Sequence, residues 1–175
     1  MHVGEIIKAD CANGVGIRLS VFVSGCTNQC EGCFQPQTWD FNYGKHYDEA
    51  MESFILEELS KPFYRGISIL GGEPFETSNQ IELIKLIRKI RKELPNKDIW
   101  MYTGFTYDQD LVVGGIRYTE VTDEILDLID ILVDGKFVYQ LKDITLNFRG
   151  SSNQRIIDMK ESRKQNKVVL SSLNN

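Results

Sequence analysis

The sequence contains no run of 18 or more apolar residues, so it predicts no membrane-spanning helix. It also lacks a basic excess, because 20 Lys and Arg stand against 25 Asp and Glu, for a net charge of −5. No overall positive field is available to attract nucleic acid, and we expect no nucleic-acid partner. Residues 1–5 have neither the basic start nor the apolar core of a signal peptide, so we expect a cytoplasmic protein.

Internal repeats, linkers and low-complexity segments are absent as well. The composition is 42% hydrophobic and 26% charged, which is typical of a soluble globular protein. A chain of 175 residues is long enough to bury most of its apolar surface. We therefore expect one domain over residues 1–175, with a charged and weakly patterned tail at 160–175.

Cysteine is scarce, yet three of the four cysteines fall within ten residues. Cys26, Cys30 and Cys33 have the spacing C-x3-C-x2-C, and thiolates this close together suit a metal ion or an iron–sulfur cluster. In a reducing compartment such clustering favours metal ligation over disulfides. A structural zinc site and an ordinary 4Fe–4S cluster each need four ligands. Three ligands therefore predict a cubane cluster with one iron left open for a substrate.

The chain begins with a predicted β-hairpin, in which residues 4–9 and 17–23 flank the turn signal Asn13-Gly14-Val15-Gly16. In the second strand, Ile17, Leu19, Val21 and Val23 alternate with Arg18, Ser20, Phe22 and Ser24. This period of two with a high apolar content predicts a strand buried largely on both faces. The cysteine loop follows this strand directly. The predicted cluster ligands thus lie at the carboxyl end of a core strand, where α/β sheets place their active sites.

Four further strands are predicted at residues 66–70, 98–103, 131–134 and 155–159, with residues 168–170 as an additional edge strand. Helices are predicted at 49–60, capped by Asp48, at 79–93, and from residue 122 onward. This alternation indicates parallel βαβ units, too few to close an eight-stranded barrel. The predicted fold class is therefore α/β: a partial, open (β/α) barrel of about five to six mostly parallel strands with an N-terminal hairpin. The clearest helix, 79–93, is expected to face the core with Ile81, Ile84, Ile87, Ile90 and Leu94.

A glycine-rich motif, Gly71-Gly72-Glu73-Pro74, follows the strand predicted at 66–70. Together with the cysteine motif after the preceding core strand, it resembles the radical S-adenosylmethionine superfamily. The resemblance implies one 4Fe–4S cluster per chain, held by the three cysteines, whose fourth iron binds the amino and carboxylate groups of S-adenosylmethionine. It also implies that Gly71, Gly72 and Glu73 contact the amino group of that ligand. Glycines let a backbone approach a ligand closely, and a carboxylate accepts hydrogen bonds from an ammonium.

Other segments resemble one branch of the superfamily, the activating proteins of the class III, anaerobic ribonucleotide reductases. The resemblance covers nearly the whole chain up to about residue 155. The segments are Asn13-Gly14-Val15-Gly16, Phe22-Val23-Ser24-Gly25-Cys26, Gly32-Cys33, Thr38-Trp39, Lys97-Asp98-Ile99-Trp100, Tyr102-Thr103-Gly104, Leu132-Val133-Asp134-Gly135-Lys136-Phe137, Leu141-Lys142-Asp143 and Arg149-Gly150-Ser151-Ser152-Asn153-Gln154.

Membership of this branch implies a radical mechanism. The reduced cluster passes one electron to S-adenosylmethionine, which splits into methionine and a 5′-deoxyadenosyl radical. That radical removes a hydrogen atom from a glycine of the anaerobic ribonucleoside-triphosphate reductase and leaves a glycyl radical there. By the same resemblance the electron comes from a reduced flavodoxin-like donor. No side chain needs to act as an acid, base or nucleophile, because the cofactor carries the chemistry.

The residues near the adenine depart from the usual pattern. Many members of the superfamily have an aromatic residue just before the third cysteine, where this chain has Gly32, and its aromatic residue is Phe34 instead. The resemblance then implies adenine contacts from Gly32, Cys33 and Phe34. It also implies that Asp134 helps to bind a monovalent cation near the cofactor, although Asp134 could equally be a turn former before Gly135.

The residues taken alone leave plainer interpretations open. The three thiols could form a zinc site completed by Cys11, His2 or His46, although we expect Cys11 to be a small buried hydrophobe. The glycine-rich motif could be only a tight turn. Asn153 and Gln154 could line the cofactor site or bond backbone groups.

Two other functions also remain open at this level. One is a different radical S-adenosylmethionine enzyme, such as another glycyl-radical activase or a deazapurine synthase. The other is a non-enzymatic metal-binding module. For the leading function, the polar and aromatic loop at residues 34–46 is the expected partner contact, since loops at strand ends carry function.

Overall fold

A computed structural model describes residues 1–174 of the chain. Asn175, the last residue of the predicted domain and tail, lies outside the described part. The described residues form seven β-strands and five α-helices, joined by loops. Short 3₁₀ turns occur at Pro36–Trp39 and Tyr139–Leu141. The strands are β1 (His2–Asp10), β2 (Arg18–Val23), β3 (Lys45–His46), β4 (Gly66–Gly71), β5 (Asp98–Tyr102), β6 (Ile131–Asp134) and β7 (Arg155–Asp158). The helices are α1 (Glu49–Ser60), α2 (Thr77–Glu93), α3 (Tyr107–Asp110), α4 (Thr122–Leu128) and α5 (Met159–Gln165).

The seven strands form one sheet in the order β3-β1-β2-β4-β5-β6-β7. The four central strands β2, β4, β5 and β6 are parallel, as the alternation of strands and helices predicts. The flanking strands are antiparallel to their neighbours, so the prediction of a mostly parallel sheet holds only for the centre. Among the described residues the edge strands β3 and β7 do not pair with each other. The sheet is open, and its pairing order does not establish a barrel.

The register of the first strands brings the two sequence motifs together. β1 and β2 form the predicted antiparallel hairpin, from Val3 opposite Val23 to Asp10 opposite Arg18. β2 and β4 run parallel without an offset, and Val23 lies opposite Gly71 at their carboxyl ends. The cysteine loop after β2 and the glycine-rich loop after β4 therefore begin side by side.

The main core lies between the helices and one face of the sheet. Successive side chains of a strand point to opposite faces, so each central strand sends alternate apolar residues towards the helices. The helices cover this face with buried residues such as Ile55 of α1 and Met159 of α5. No described helix is both long and apolar enough to cross a membrane. The strand residues of this core are Val3, Leu19, Val21, Val23, Ile67, Ile69, Ile99, Met101, Leu132 and Ile157.

Helix α2 buries a different stripe from the predicted one. Ile84, Ile87 and Ile90 are buried as expected, but Ile81 is 51% exposed, and Leu83 and Leu86 are buried instead. The prediction for Ile81 is wrong because a spacing of three residues drifts by about 60° per step on a helix of 3.6 residues per turn. Extending the stripe back from Ile84 therefore carries it around to the solvent side.

The opposite face of the sheet holds a buried arginine. Arg18 on β2 is fully buried, donates from Nε to Ser68 Oγ (2.6 Å), and pairs through Nη1 with Asp98 Oδ1 (2.6 Å). Its guanidinium also lies 5.0 Å from the ring centre of Trp100. Burial of a charge is costly unless it is paired and hydrogen-bonded, and these contacts satisfy that condition.

Three elements have no counterpart in the sequence prediction: strand β3, helix α3 and helix α5. Strand β3 lies within the segment 34–46 predicted as loop, and helix α5 lies in the weakly patterned tail. The side chain of Asp158 caps α5 by accepting the N–H of Glu161 (3.0 Å). The edge strand predicted at 168–170 is present only as one antiparallel bridge, between Leu170 and Ile157 of β7. Backbone hydrogen bonds flank the bridge, from Asp158 N to Val169 O (2.9 Å) and from Ser171 N to Ile156 O (2.8 Å).

We expect Ile87→Ala to lower the free energy of unfolding by about 2–5 kcal/mol, because it removes a fully buried side chain from α2 and leaves a cavity. Ile81→Ala is the matched control on the same helix and should change it by less than about 0.5 kcal/mol. Urea denaturation of both variants measures the difference. Equal losses would contradict the observed orientation of α2.

Candidate functional site

The carboxyl ends of the central strands border one cavity of about 460 Å³. Its walls include Leu70 and Tyr102 from the helix-free face of the sheet, and residues from the loops after β2, β4, β5 and β6. This is the edge at which the sequence places the site. The predicted site residues that line the cavity are Cys26, Cys30, Gly32, Cys33, Phe34, Gly71, Gly72 and Glu73. Asp134 is the one predicted site residue outside this wall, although its neighbour Gly135 lines it.

The three predicted cluster ligands lie on one wall of this cavity as free thiols. Burial, reinforced by the nearby carboxylate of Glu73, raises the pKa of Cys26 to about 11, although the N–H groups of Asn28 and Gln29 oppose this shift. Burial also raises the pKa of Cys30, against the opposing effect of the Lys136 ammonium. Since metal coordination deprotonates a thiol outright, a cluster here would overcome this preference for the neutral form.

The three thiols are the kind of ligand that an iron–sulfur cluster needs, but they are not arranged around one common point. In residues 1–174, no group of three or more His, Cys, Asp or Glu side chains is gathered closely enough to hold a metal ion. The three thiols therefore share a wall without converging on one point. Three unpaired thiols on a short loop with glycines at its start and interior are nevertheless the soft donors that iron–sulfur clusters require.

The candidates for a fourth protein ligand lie away from the cavity. Cys11 is exposed, so the prediction that it is buried is wrong. β1 ends at Asp10, whose carboxylate accepts the N–H of Ala12 (2.7 Å), and Cys11 lies in the turn between them. His2 and His46 stack edge to face across β1 and β3, with ring centres 5.3 Å apart. None of these three residues lines the cavity.

The glycine-rich loop lies directly against the start of the cysteine loop. Gly72 donates its N–H to Val23 O (2.7 Å), and Glu73 donates its N–H to Gly25 O (2.8 Å). A Cβ on Gly72 would lie 2.6 Å from Gly25 O and 2.9 Å from Thr38 O. The two loops can approach this closely only because residue 72 has no side chain.

Glu73 is almost completely buried, and its carboxylate accepts four hydrogen bonds. Oε1 accepts from the N–H of Phe75 (2.9 Å) and the hydroxyl of Thr103 (2.7 Å). Oε2 accepts from the N–H of Gly104 (2.7 Å) and the side-chain amide of Asn28 (3.0 Å). Burial raises the pKa of Glu73 to about 7, although these hydrogen bonds oppose the shift. The carboxylate thus connects its own loop with the end of β5 and with the cysteine loop.

The sequence analysis did not identify the partners of Glu73 or the polar residues at the start of α2. Asn79 on the first turn of α2 is buried and donates from Nδ2 to Ser24 O and to Glu73 O, both at 3.0 Å. One signal was available: Glu76, Asn79 and Gln80 are polar at the start of an otherwise amphipathic helix. Buried polar groups need partners, and here the partners are the loops that form the site.

Asp134 is buried at the end of β6 and engaged by the protein itself. Arg155 of β7 contacts both of its oxygens, with Nε to Oδ1 at 2.9 Å and Nη2 to Oδ2 at 2.5 Å. The N–H of Tyr107 also donates to Oδ2 (2.8 Å). These contacts join β6, β7 and the start of α3, and they take up the oxygens that a cation would need.

The loop after β6 closes one side of the cavity. The ring of Tyr139 packs on Gly32, where a Cβ would lie 2.4 Å from Tyr139 Cδ2, so glycine is required in the cysteine loop at this point. Gln154 lines the cavity and also bonds backbone, because its Nε2 donates to Gly135 O (3.0 Å) and its Oε1 accepts from Gly150 N (2.9 Å). Asn153 donates to Lys136 O (2.8 Å). Gln154 therefore has both of the roles that the sequence left open, because it lines the cavity and bonds backbone groups.

The comparisons with known proteins agree with this arrangement. Residues 12–157 match the family model described as a 4Fe-4S single cluster domain. The anaerobic ribonucleoside-triphosphate reductase-activating protein of Escherichia coli K12 is 40% identical over 156 residues, which are 88% of this chain and 96% of that protein. The chain belongs to the family of anaerobic ribonucleoside-triphosphate reductase-activating proteins. It therefore carries a 4Fe–4S single cluster domain of the activating proteins.

Similarity to the family of activating proteins extends to more distant members. The Vibrio cholerae protein of the same name is 36% identical over 158 residues, which are 89% of this chain and 97% of that protein. The bacteriophage T4 protein of that name is 31% identical over 156 residues, 89% and 93% of the two chains. No solved structure matches the chain.

We expect Gly72→Ala to lower the free energy of unfolding by about 3 kcal/mol, because the added Cβ meets backbone oxygens that cannot move independently. Gly114→Ala is the control: a Cβ there meets nothing within 4 Å, so only its positive φ costs energy, about 1 kcal/mol. Urea denaturation of the metal-free protein compares the two. A loss for Gly72→Ala no larger than for Gly114→Ala would contradict the close contact of the two loops.

Proposed function

We propose that this chain activates an anaerobic ribonucleoside-triphosphate reductase by generating a glycyl radical on it. The observation that carries the proposal is the juxtaposition of the three-cysteine loop and the glycine-rich loop at one cavity, in a chain that matches named activating proteins along 88% of its length. As a reaction class this is an oxidoreductase-type radical transfer.

In this proposal Cys26, Cys30 and Cys33 hold one 4Fe–4S cluster per chain. Support comes from their free thiols on one cavity wall and from the absence of Cys11, His2 and His46 from that wall. With three protein ligands, one iron stays open for a substrate. Binding requires the thiols to come closer together than they do in the described structure, which a short loop between two anchored segments allows.

S-adenosylmethionine is the ligand we propose for the rest of the cavity, with Gly32, Cys33 and Phe34 beside its adenine and Gly71, Gly72 and Glu73 beside its amino group. When bound, the cluster and S-adenosylmethionine would supply a one-electron cleavage of S-adenosylmethionine to methionine and a 5′-deoxyadenosyl radical, and this radical would remove a hydrogen atom from a glycine of the reductase. The residues of the chain position the ligand and exclude water, and apolar side chains such as Leu70 and Phe148 line the cavity.

The contact with the amino group has a specific requirement at Glu73. A carboxylate offers about four lone-pair positions, and Glu73 already accepts four hydrogen bonds. The bond from the Asn28 amide is the longest of the four at 3.0 Å, and Asn28 lines the cavity. We propose that the ligand ammonium replaces the Asn28 amide. Asp134 would bind a cation only if Arg155 moved away, so we propose no cation step.

The finer architectural expectations are part of the same proposal. The helix-free face of the sheet, with its cavity bordered by four strand ends, is consistent with an open, partial (β/α) barrel that curves around the ligand. We also propose that residues 1–175 act as one radical S-adenosylmethionine domain in the cytoplasm.

A protein substrate is supported by exposed apolar residues around the cavity. Phe34 is 80% exposed and Ile144 is 90% exposed, yet both line the cavity from different loops. Exposed apolar side chains around a site are typical of a contact surface for another protein. We propose that the reductase presents its glycine there, that residues 34–46 contact it, and that a reduced flavodoxin-like protein supplies the electron.

The direct test combines the reduced, cluster-loaded protein with S-adenosylmethionine and the cognate reductase. We expect a glycyl radical signal by electron paramagnetic resonance. Cleavage of S-adenosylmethionine driven by a small molecule, without any radical on the reductase, would instead indicate another radical enzyme. A colourless protein with stoichiometric zinc would indicate a metal-binding module.

We predict that Cys30→Ala loses both the cluster and the radical signal, because it removes one of only three protein ligands. Cys11→Ala is the matched control: its thiol is exposed and outside the cavity wall, so iron content and radical yield should be unchanged. Iron and sulfide analysis after anaerobic reconstitution measures the first effect. Full iron content in Cys30→Ala, or loss of iron in Cys11→Ala, would refute the ligand assignment.

A further inference from the structure

Glu76 precedes α2 at the N-cap position but does not cap the helix. Its side chain is buried and turns towards the cysteine loop, where Oε1 accepts the N–H of Thr27 (2.8 Å) and the hydroxyl of Thr27 (2.6 Å). Thr27 directly follows the first predicted cluster ligand. A buried carboxylate from a distant element is thus bonded twice to the residue beside Cys26.

Arg117, in the loop before α4, completes the group around Thr27. Its Nη2 donates to the hydroxyl of Thr27 (2.6 Å) and lies 3.5 Å from Glu76 Oε2. Its guanidinium packs 4.6 Å from the ring centre of Phe105, and its carbonyl oxygen accepts from Gln80 Nε2 (2.8 Å). Both the charge and the backbone of Arg117 are therefore held in place.

The ligand contacts proposed above do not involve these three residues. Neither Glu76 nor Arg117 lines the cavity, so neither is in a position to touch the ligand. Burial of a charged pair costs free energy, and a Ser or Asp at residue 76 would cap α2 better than Glu does. The contacts with Thr27 give the pair a role beyond helix capping, because they fix the backbone between Cys26 and Cys30.

We propose that Glu76 and Arg117 are positioning residues that hold Thr27 in place and that their opposite charges adjust the reduction potential of the cluster on the adjacent cysteines. The part concerning the potential rests on the proposed cluster ligation. Net charge and hydrogen bonding around an iron–sulfur cluster set its potential. A carboxylate beside it disfavours the added electron, and a guanidinium favours it.

Charge-removing variants of similar shape test the electrostatic part. In the reconstituted protein, without reductase, Glu76→Gln should shift the cluster potential upward and Arg117→Gln should shift it downward. Glu82→Gln and Arg88→Gln are the controls, because both residues form ion pairs on the outer surface of α2, and they should leave the potential unchanged. Potentiometric titration followed by electron paramagnetic resonance gives these values. Shifts of the same sign, or no shift at full cluster content, would overturn the electrostatic role.

The hydroxyl of Thr27 provides a rescue test. Thr27→Ser keeps the bonds to Glu76 and Arg117. The reduction potential of its cluster and the line shape of its electron paramagnetic resonance spectrum should therefore match those of the unaltered protein. Thr27→Val keeps only the backbone bond and should broaden the line through a less uniform cluster environment. Identical spectra for Thr27→Val and the unaltered protein would contradict the role of this hydroxyl.

Hydrogen exchange of the metal-free protein tests positioning without any cluster. In Glu76→Ala, peptides that cover residues 25–33 should exchange faster than in the unaltered protein, whereas Glu82→Ala should leave them unchanged. Unchanged exchange in Glu76→Ala would overturn the positioning role. If the unaltered protein binds no cluster at all, the proposed function fails, and this measurement still decides whether Glu76 holds the loop.

Discussion

The buried carboxylate of Glu73 holds together three of the four loops that line the site, those after β2, β4 and β5. Its four donors come from its own loop, from the end of β5 and from the cysteine loop, so no one of these segments can move without breaking one of its bonds. Burial of a carboxylate costs free energy unless the group is fully hydrogen-bonded. Loss of one donor would therefore destabilise the whole arrangement. The relative positions of these three loops therefore depend on this one group.

The sheet supplies the conditions under which Glu73 can act in this way. β2 and β4 end in register, so that their loops start together. The absence of a side chain at Gly72 lets its backbone approach that of Gly25, and the absence of one at Gly104 leaves room for the side chain of Asn28. The first turn of α2 then adds polar side chains, with Asn79 on Ser24 O and Glu76 on Thr27. The contacts between these loops are thus made by backbone and polar groups at the carboxyl ends of the strands, while the main apolar core lies on the helix side of the sheet.

Local patterns were sufficient to predict the centre of the fold and the two motifs. The cysteine spacing, the glycine-rich turn and the period of β2, β4, β5 and β6 are each encoded in consecutive residues, and the cap at Asp48 was equally readable. The sequence could also have predicted α5, since Asp158 and Glu161 have the spacing of an N-terminal cap. The strand predicted at 155–159 obscured that signal.

Features that depend on distant partners could not be predicted from local patterns. The two residues of β3 are too few to show a period, and the sequence does not show which partners, Ser68 and Asp98, allow Arg18 to be buried. Asp134 reads as a turn residue or a ligand until Arg155 arrives from β7. The exposure of Cys11 follows from a turn that Asp10 stabilises. Apart from the local turn at Cys11, each of these outcomes was decided by a tertiary contact.

The proposed reaction requires that the three cysteines leave one iron open and that S-adenosylmethionine occupies it. Electron–nuclear double resonance tests this requirement on the reduced, cluster-loaded protein, with S-adenosylmethionine labelled with nitrogen-15 at its amino group and oxygen-17 at its carboxylate. We expect hyperfine coupling of both labels to the cluster, which would show that they coordinate iron. A protein with full cluster content and bound S-adenosylmethionine but without coupling from either label would contradict the proposal.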